Sequence, residues 1–287
     1  MNTFSRWVGV LALAGAWTLA AADVGTGKSF KGPIGLQLYS LRGDFTKNVD
    51  LGLDESKKFG FKYVELAGTY NLPPEKFKEM LEKRGFVPIG MHFPYSRFKT
   101  DAEGIAKEAK TLGLKYAGCA AIDKKGDFDM TEATEAVKVF NDAGKVLKEH
   151  GIQFFFHCHG PEFTPNGNET FMDYIIKNTD PKLVAFEMDV FWVFHPGQDP
   201  AKWLEKYPGR WQLMHVKDMR KGTETGLFTG GTDVRNDVAI GTGMMDWPAI
   251  LKAAKKTGVK YYFIEDESPT VKEQIPVSLK YLEDVKF

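Results

Sequence analysis

A single-domain (β/α)₈ TIM barrel is the fold this sequence predicts, and three observations carry the expectation. Short apolar runs of strand length alternate with helical patterns eight times. The alternation reaches the end of the chain without a break in composition. The first run ends Gln37-Leu38-Tyr39-Ser40, with no glycine-rich phosphate turn of the kind an open, doubly wound sheet carries there.

The eight strands are read at residues 34–40, 63–67, 87–93, 115–121, 152–159, 183–190, 211–218 and 261–267. Between them lie amphipathic stretches with start and stop signals. Pro73-Pro74 opens one that places Phe77 and Leu81 inward and stops at Gly85. Thr131 is read as the cap of a long helix in which Val137, Phe140, Gly144 and Leu147 share a face. Asp246-Trp247-Pro248 begins another, with Ile250, Leu251 and Ala254 inward and Gly258 closing it. The last helix starts near Thr270, and Pro276 inside it is expected to kink it.

Ahead of the barrel, Arg6, an apolar stretch from Trp7 to Leu19 and the small residues Ala20-Ala21-Ala22 read as a secretory signal peptide over residues 1–22, leaving residues 23–287 as the barrel domain. The apolar run is shorter than the roughly 20 residues a bilayer span requires, so no stable membrane span is expected after cleavage. The reading makes the protein exported, either periplasmic or secreted. With 38 basic and 38 acidic residues the net charge is zero, which argues against nucleic acid as a partner. Cys119 and Cys158 read as buried free thiols rather than a disulfide scaffold. The oligomeric state is left open.

A barrel strand is expected to be apolar where its side chains fill the core, yet these strands end in ionisable residues. Glu65 interrupts the second, His92 ends the third, and His157 and His159 end the fifth. Glu187 and Asp189 lie on the sixth, His215, Lys217 and Asp218 on the seventh, and Glu265, Asp266 and Glu267 on the eighth. Alternation puts His157 with His159, Glu187 with Asp189, and His215 with Lys217 on common faces. If those faces point inward, imidazoles and carboxylates converge at the C-terminal mouth, where active sites of this fold sit. One such residue has an ordinary explanation in a loop hydrogen bond. The set does not, because burying that many charges together without a function costs many kcal/mol. Mixed histidine and carboxylate donors suit one divalent metal ion of the Mn, Co, Zn or Fe type.

Other candidates carry less. His150 ends a helix, where a cation suits the dipole. His195 falls in the turn after the sixth strand and reads as a loop residue. No Gly-x-Ser-x-Gly occurs to support a serine nucleophile. Cys158 alternates outward, toward the helices.

The strand-end segments resemble the xylose-isomerase-like barrel superfamily, in particular its sugar phosphate isomerase/epimerase proteins. The likeness runs through residues 34–42 (IGLQLYSLR), 60–68 (GFKYVELAG), 157–163 (HCHGPEF), 187–192 (EMDVFW), 215–219 (HVKDM), 241–247 (GTGMMDW) and 263–266 (FIED). It implies one metal with a ligand from each of the fifth to eighth strands. By position Asp189, His215 and Glu265 supply the last three. At the fifth strand the family's Glu-x-His appears as His157-Cys158-His159, so the fourth ligand is either His157 or Glu162. His159 is then assigned to substrate, together with Glu65 and His92. Trp192 stands where the endonuclease branch has a second histidine, which argues against DNA repair.

The resemblance implies deprotonation beside a carbonyl of a small sugar or polyol, giving an enediolate. Glu265, Glu162 and His159 are the candidate bases. Lys217 is read either as the partner of the developing oxyanion or as a salt bridge to Glu187 or Glu65. Epimerisation, isomerisation and elimination all leave from the same intermediate. Export, and no arginine pair at the strand ends, favour an unphosphorylated keto-sugar or oxidised glycoside. The competing class is a non-catalytic exported carbohydrate-binding barrel. Residues 221–243 read as a lid or substrate-selecting insertion.

Overall fold

The computed structural model describes residues 23–287. The signal peptide expected over residues 1–22 lies outside the described residues. Eight parallel strands close into a barrel: β1 Ile34–Gln37, β2 Tyr63–Leu66, β3 Val87–His92, β4 Tyr116–Cys119, β5 Gln153–His157, β6 Val184–Asp189, β7 Trp211–Val216 and β8 Tyr261–Ile264. They pair in chain order, and β1 closes the ring on β8 with Ile34 opposite Tyr262. Among the described residues no helix is long and apolar enough to cross a membrane.

All eight strands stop short of the C-terminal end read from the sequence, and polar side chains there explain two of the endings. Gln37 turns back to accept the Tyr39 amide at 3.1 Å, capping a 3₁₀ turn over Leu38–Leu41. Asp189 accepts the Trp192 amide at 3.1 Å and caps the short helix Val190–Phe194. In both cases a side-chain acceptor satisfies amides that the ladder no longer can.

The long helix is Met130–Glu149, and its cap is Asp129 rather than Thr131. Asp129 accepts the Thr131 amide while Glu132 reaches back to the Asp129 amide, forming a capping box. Its inner face carries Phe140, Gly144 and Leu147 as expected, whereas Val137 is only half-buried. Pro74–Lys83 and Trp247–Thr257 begin where read, the second capped by Asp246 and closed by Gly258. The final helix, Val271–Asp284, continues past Pro276.

Inside the barrel Ile89, Tyr116, Phe155, Ala185, Leu213 and Phe263 form a fully packed apolar plug. Gly118 is required beside it, since a Cβ there would lie 2.0 Å from the Phe155 carbonyl oxygen. This plug is the floor on which the polar layer of the C-terminal mouth rests.

Candidate metal and substrate site in the barrel mouth

The polar layer is built by strand register. Gln37 lies opposite Glu65, His157 opposite Glu187, and Asp189 opposite His215. The structure therefore brings Glu65, His92, His157, Glu187, Asp189, His215, Lys217 and Glu265 to one end of the barrel, and all but His92 are buried.

Four donors from β5, β6, β7 and the end of β8 converge. His157 Nε2 stands 3.1 Å from His215 Nδ1 and 3.4 Å from Asp189 Oδ2. His215 Nδ1 is 3.5 Å from Asp189 Oδ2 and 3.3 Å from Glu265 Oε2. Donors sharing an ion at about 2.0–2.2 Å in tetrahedral arrangement stand about 3.3–3.6 Å apart. Asp189 Oδ2 is buried with no hydrogen-bond partner. Two imidazole nitrogens facing each other at 3.1 Å cannot both carry a proton. Spacing, orphaned oxygen and donor chemistry all fit a divalent cation.

Glu162 is not part of that group. Its Oε2 turns back to accept the His159 amide at 3.2 Å and the Gly160 amide at 3.0 Å. Burial raises its pKa, opposed by those same amide bonds.

Beneath the four donors lies a second polar group. Glu65 Oε2 accepts from Gln37 Nε2 at 2.6 Å and meets His215 Nε2 at 2.6 Å. Glu187 Oε2 is 3.0 Å from His92 Nε2 and 3.3 Å from His215 Nε2. A carboxylate on the far nitrogen of His215 fixes its tautomer and ring angle, leaving Nδ1 free to ligate. Gly90 leaves room for this arrangement, because a Cβ there would be 3.2 Å from Glu65 Oε1.

The electrostatics follow from burial and these neighbours. Burial works against charge on His215, but Glu187, Glu265 and Glu65 outweigh it and hold the imidazolium well above the ordinary histidine range. Burial, reinforced by Glu65, pushes Glu187 well above the carboxylate range. Asp189 and Glu265 are held low despite burial, Asp189 by His157 and His215, Glu265 by Lys217 and His215. Burial, with His157 beside it, lowers His159 to about 4, so its imidazole is neutral near pH 7.

Lys217 departs from its expected pairing. Its ammonium meets Glu267 at 2.7 Å, Glu265 at 3.1 Å and Asp237 at 3.5 Å, not Glu187 or Glu65. Asp218 is structural: its carboxylate takes the Gly241, Gly243 and Met245 amides and the Trp247 indole N–H. Buried His195 anchors the 221–243 loop, its carbonyl accepting the Gly226 amide and its Nδ1 lying 3.2 Å from the Leu227 oxygen. Farther along, Asp237–Val238 pairs with Asp218–Met219. Cys119 and Cys158 are buried and free.

Sequence reasoning missed Gln37 and Asp237. A glutamine closing an otherwise apolar first strand was the available signal for the one. Nothing local marks Asp237, which reaches Lys217 only through the fold of its loop.

Above the donors opens a cavity of about 310 Å³, lined by Gln37, Tyr39, His92, His157, His159, Glu265 and Glu267 among others. A larger hollow of about 440 Å³ lies over Ser40–Lys47 and touches the first at Glu267. No convergent donor group lines it, so the chemistry is assigned to the smaller cavity.

Fold and site together define a parallel α/β barrel with a metal-type donor group at its C-terminal mouth. The chain belongs to the xylose isomerase-like TIM barrel family, whose model matches residues 53–285. It is 23% identical over 195 residues to the inosose dehydratase of Geobacillus kaustophilus, a match covering 60% of this chain and 62% of that protein. The chain thus spans less than two thirds of that relative's length. A solved sugar phosphate isomerase/epimerase from Parabacteroides distasonis is 25% identical, with a TM-score of 0.72 over 92% of this chain and 96% of that one. The IOLI protein, solved with a bound zinc atom, shares the fold with a TM-score of 0.68 at 16% identity, over 86% of this chain and 95% of its own.

Proposed function

We propose that this protein is an exported, divalent-metal-dependent enzyme that removes a proton beside the carbonyl of an unphosphorylated keto-sugar or oxidised glycoside, leading to isomerisation, epimerisation or elimination. The observation that carries the reading is the set of four donors, His157, Asp189, His215 and Glu265, spaced for one ion on the floor of a sugar-sized cavity. His157, not Glu162, is the fifth-strand ligand in this reading, because Glu162 is already bound to backbone amides.

A bound Mn, Co, Zn or Fe ion would polarise the substrate carbonyl and stabilise negative charge developing on its oxygen. The chain's own groups do the rest. His159 lines the cavity, and its imidazole, neutral near pH 7, can accept the proton from carbon as a weak base that relies on that carbon being made acidic. Glu265, read from the sequence as a base, is pinned between Lys217 and His215 and held ionised, which makes it a weak one. Lys217 keeps that carboxylate in place from behind the cavity wall. Glu65 and His92, expected to bind substrate, divide: Glu65 is fully enclosed and orients His215, while His92 reaches the cavity.

An unphosphorylated substrate is supported by the lining, which contains carboxylates and imidazoles but neither lysine nor arginine. A phosphate there would face Glu265 and Glu267 without a cationic clamp. The inosose dehydratase and isomerase/epimerase relatives support sugar-like chemistry. The test is a panel of keto-sugars and 3-keto-glycosides incubated in D₂O with metal-loaded and chelator-treated protein. Metal-dependent α-hydrogen exchange together with product formation is expected. A loaded protein that binds these compounds yet neither exchanges nor converts them is a carbohydrate-binding barrel instead. Export is tested by the mature N-terminus, expected at Asp23.

A further inference from the structure

The end of the barrel opposite the cavity carries a second organised feature. Lys62, Lys115 and Lys260 immediately precede β2, β4 and β8, and Lys182 precedes β6 by two residues, so lysines mark the entrance of every even-numbered strand. Lys115, Lys182 and Lys260, joined by Lys148 from the end of the helix Met130–Glu149, line a basin of about 370 Å³. No carboxylate lines it. Some surface lysines elsewhere are ion-paired, as Lys99 is with Glu135 and Lys138 with Asp142. Among the described residues none of these four ammonium groups lies within ion-pair reach of an acid, and Asp180 accepts the backbone amide of Lys182, not its side chain.

The neutral groups of the wall meet the lysines through their oxygens. Lys115 donates to the Tyr261 hydroxyl oxygen at 2.6 Å, which leaves the Tyr261 O–H hydrogen to point elsewhere. Gln212 Oε1 accepts from Tyr116 at 3.1 Å and Lys260 at 3.0 Å, so its amide N–H groups remain free to donate. The wall therefore combines ammonium groups with a hydroxyl and an amide whose oxygens are already taken, in a chain whose net charge is zero. Like charges gathered on strand ends repel one another, and a multivalent anion relieves that repulsion.

We propose that the N-terminal mouth is a binding basin for a small polyanion carrying several phosphate or sulfate groups. Lysines act as point-charge partners for such groups, four of them call for more than one anionic group, and the basin exceeds the size of a single tetrahedral anion. The proposal does not rest on the chemistry assigned to the opposite mouth.

Calorimetric titration of the full protein at low salt tests it, with inorganic tripolyphosphate, sucrose octasulfate and orthophosphate as probes. Either polyanion should bind one per chain in the micromolar range, far more tightly than orthophosphate, and weaken as salt rises. Preference between them identifies a phosphorylated or a sulfated-sugar source. Lys115→Gln with Lys260→Gln should lower affinity at least tenfold, while Lys138→Gln with Lys202→Gln, which removes equal charge elsewhere, should leave it unchanged. Polyanions that bind no better than orthophosphate, or equal losses in both double variants, would overturn the basin.

Discussion

Glu65→Gln isolates one interaction that the candidate metal site depends on. The carboxylate is fully buried, and its Oε2 meets both Gln37 Nε2 and His215 Nε2 at 2.6 Å. An amide oxygen in the same place can accept both hydrogen bonds, so the substitution removes charge while keeping shape. A unit charge roughly 7 Å away, across an imidazole ring, contributes about 2 kcal/mol at an effective dielectric constant of about 20. That agrees with the 10–100-fold loss, about 1.4–2.7 kcal/mol, typical when a histidine ligand loses its outer carboxylate. Metal affinity would be measured by competition with a chromophoric chelator at two pH values. The second pH separates proton competition at His215, whose imidazolium Glu65 also favours. Circular dichroism and a melting curve establish that the variant folds. A dissociation constant within twofold of the unaltered protein's would falsify the reading of His215 as a ligand oriented by Glu65.

His157→Ala should lose the ion while Glu162→Ala keeps it; Glu162→Ala should instead cost about 1–3 kcal/mol in a urea melt, since the buried Gly160 amide and its His159 neighbour lose their acceptor. The reverse pattern of metal content would reassign the fifth-strand ligand. Gly118→Ala should destabilise the barrel by about 3 kcal/mol or more, because the added Cβ would meet backbone, not a movable side chain; a midpoint shift near zero sinks that account of the plug. Asp237→Asn tests a pH dependence. Burial, only partly offset by Lys217, raises Asp237 to about 7 from 3.8. Between those values the folded chain holds a proton the unfolded chain has released, so this group makes stability fall as pH rises from about 4 to about 7. The variant should show a shallower fall, and identical slopes would refute the buried-acid assignment.

How much of this was legible beforehand depends on the range of each interaction. Alternation along a strand and helix punctuation are properties of neighbouring residues. The eight units, their order and the inward faces of His157, Glu187, Asp189 and His215 were therefore readable from the chain, and closure then brought those faces together. Element ends were less legible, because Gln37, Asp129 and Asp189 could each have continued a pattern or capped one.

Partner choice among the buried charges was decided only by the tertiary structure. Lys217 shares its strand with His215, but its carboxylates come from β8's end and from Asp237, some twenty residues along a loop. Glu162 stands five residues past His157 and was an equal candidate ligand until the turn at Gly160 directed its oxygen to the backbone. Residue types and period decide that imidazoles and carboxylates meet. Register between strands distant in sequence, and the path of the loops over the mouth, decide which atoms touch, because a shift of one residue sends a side chain to the opposite face.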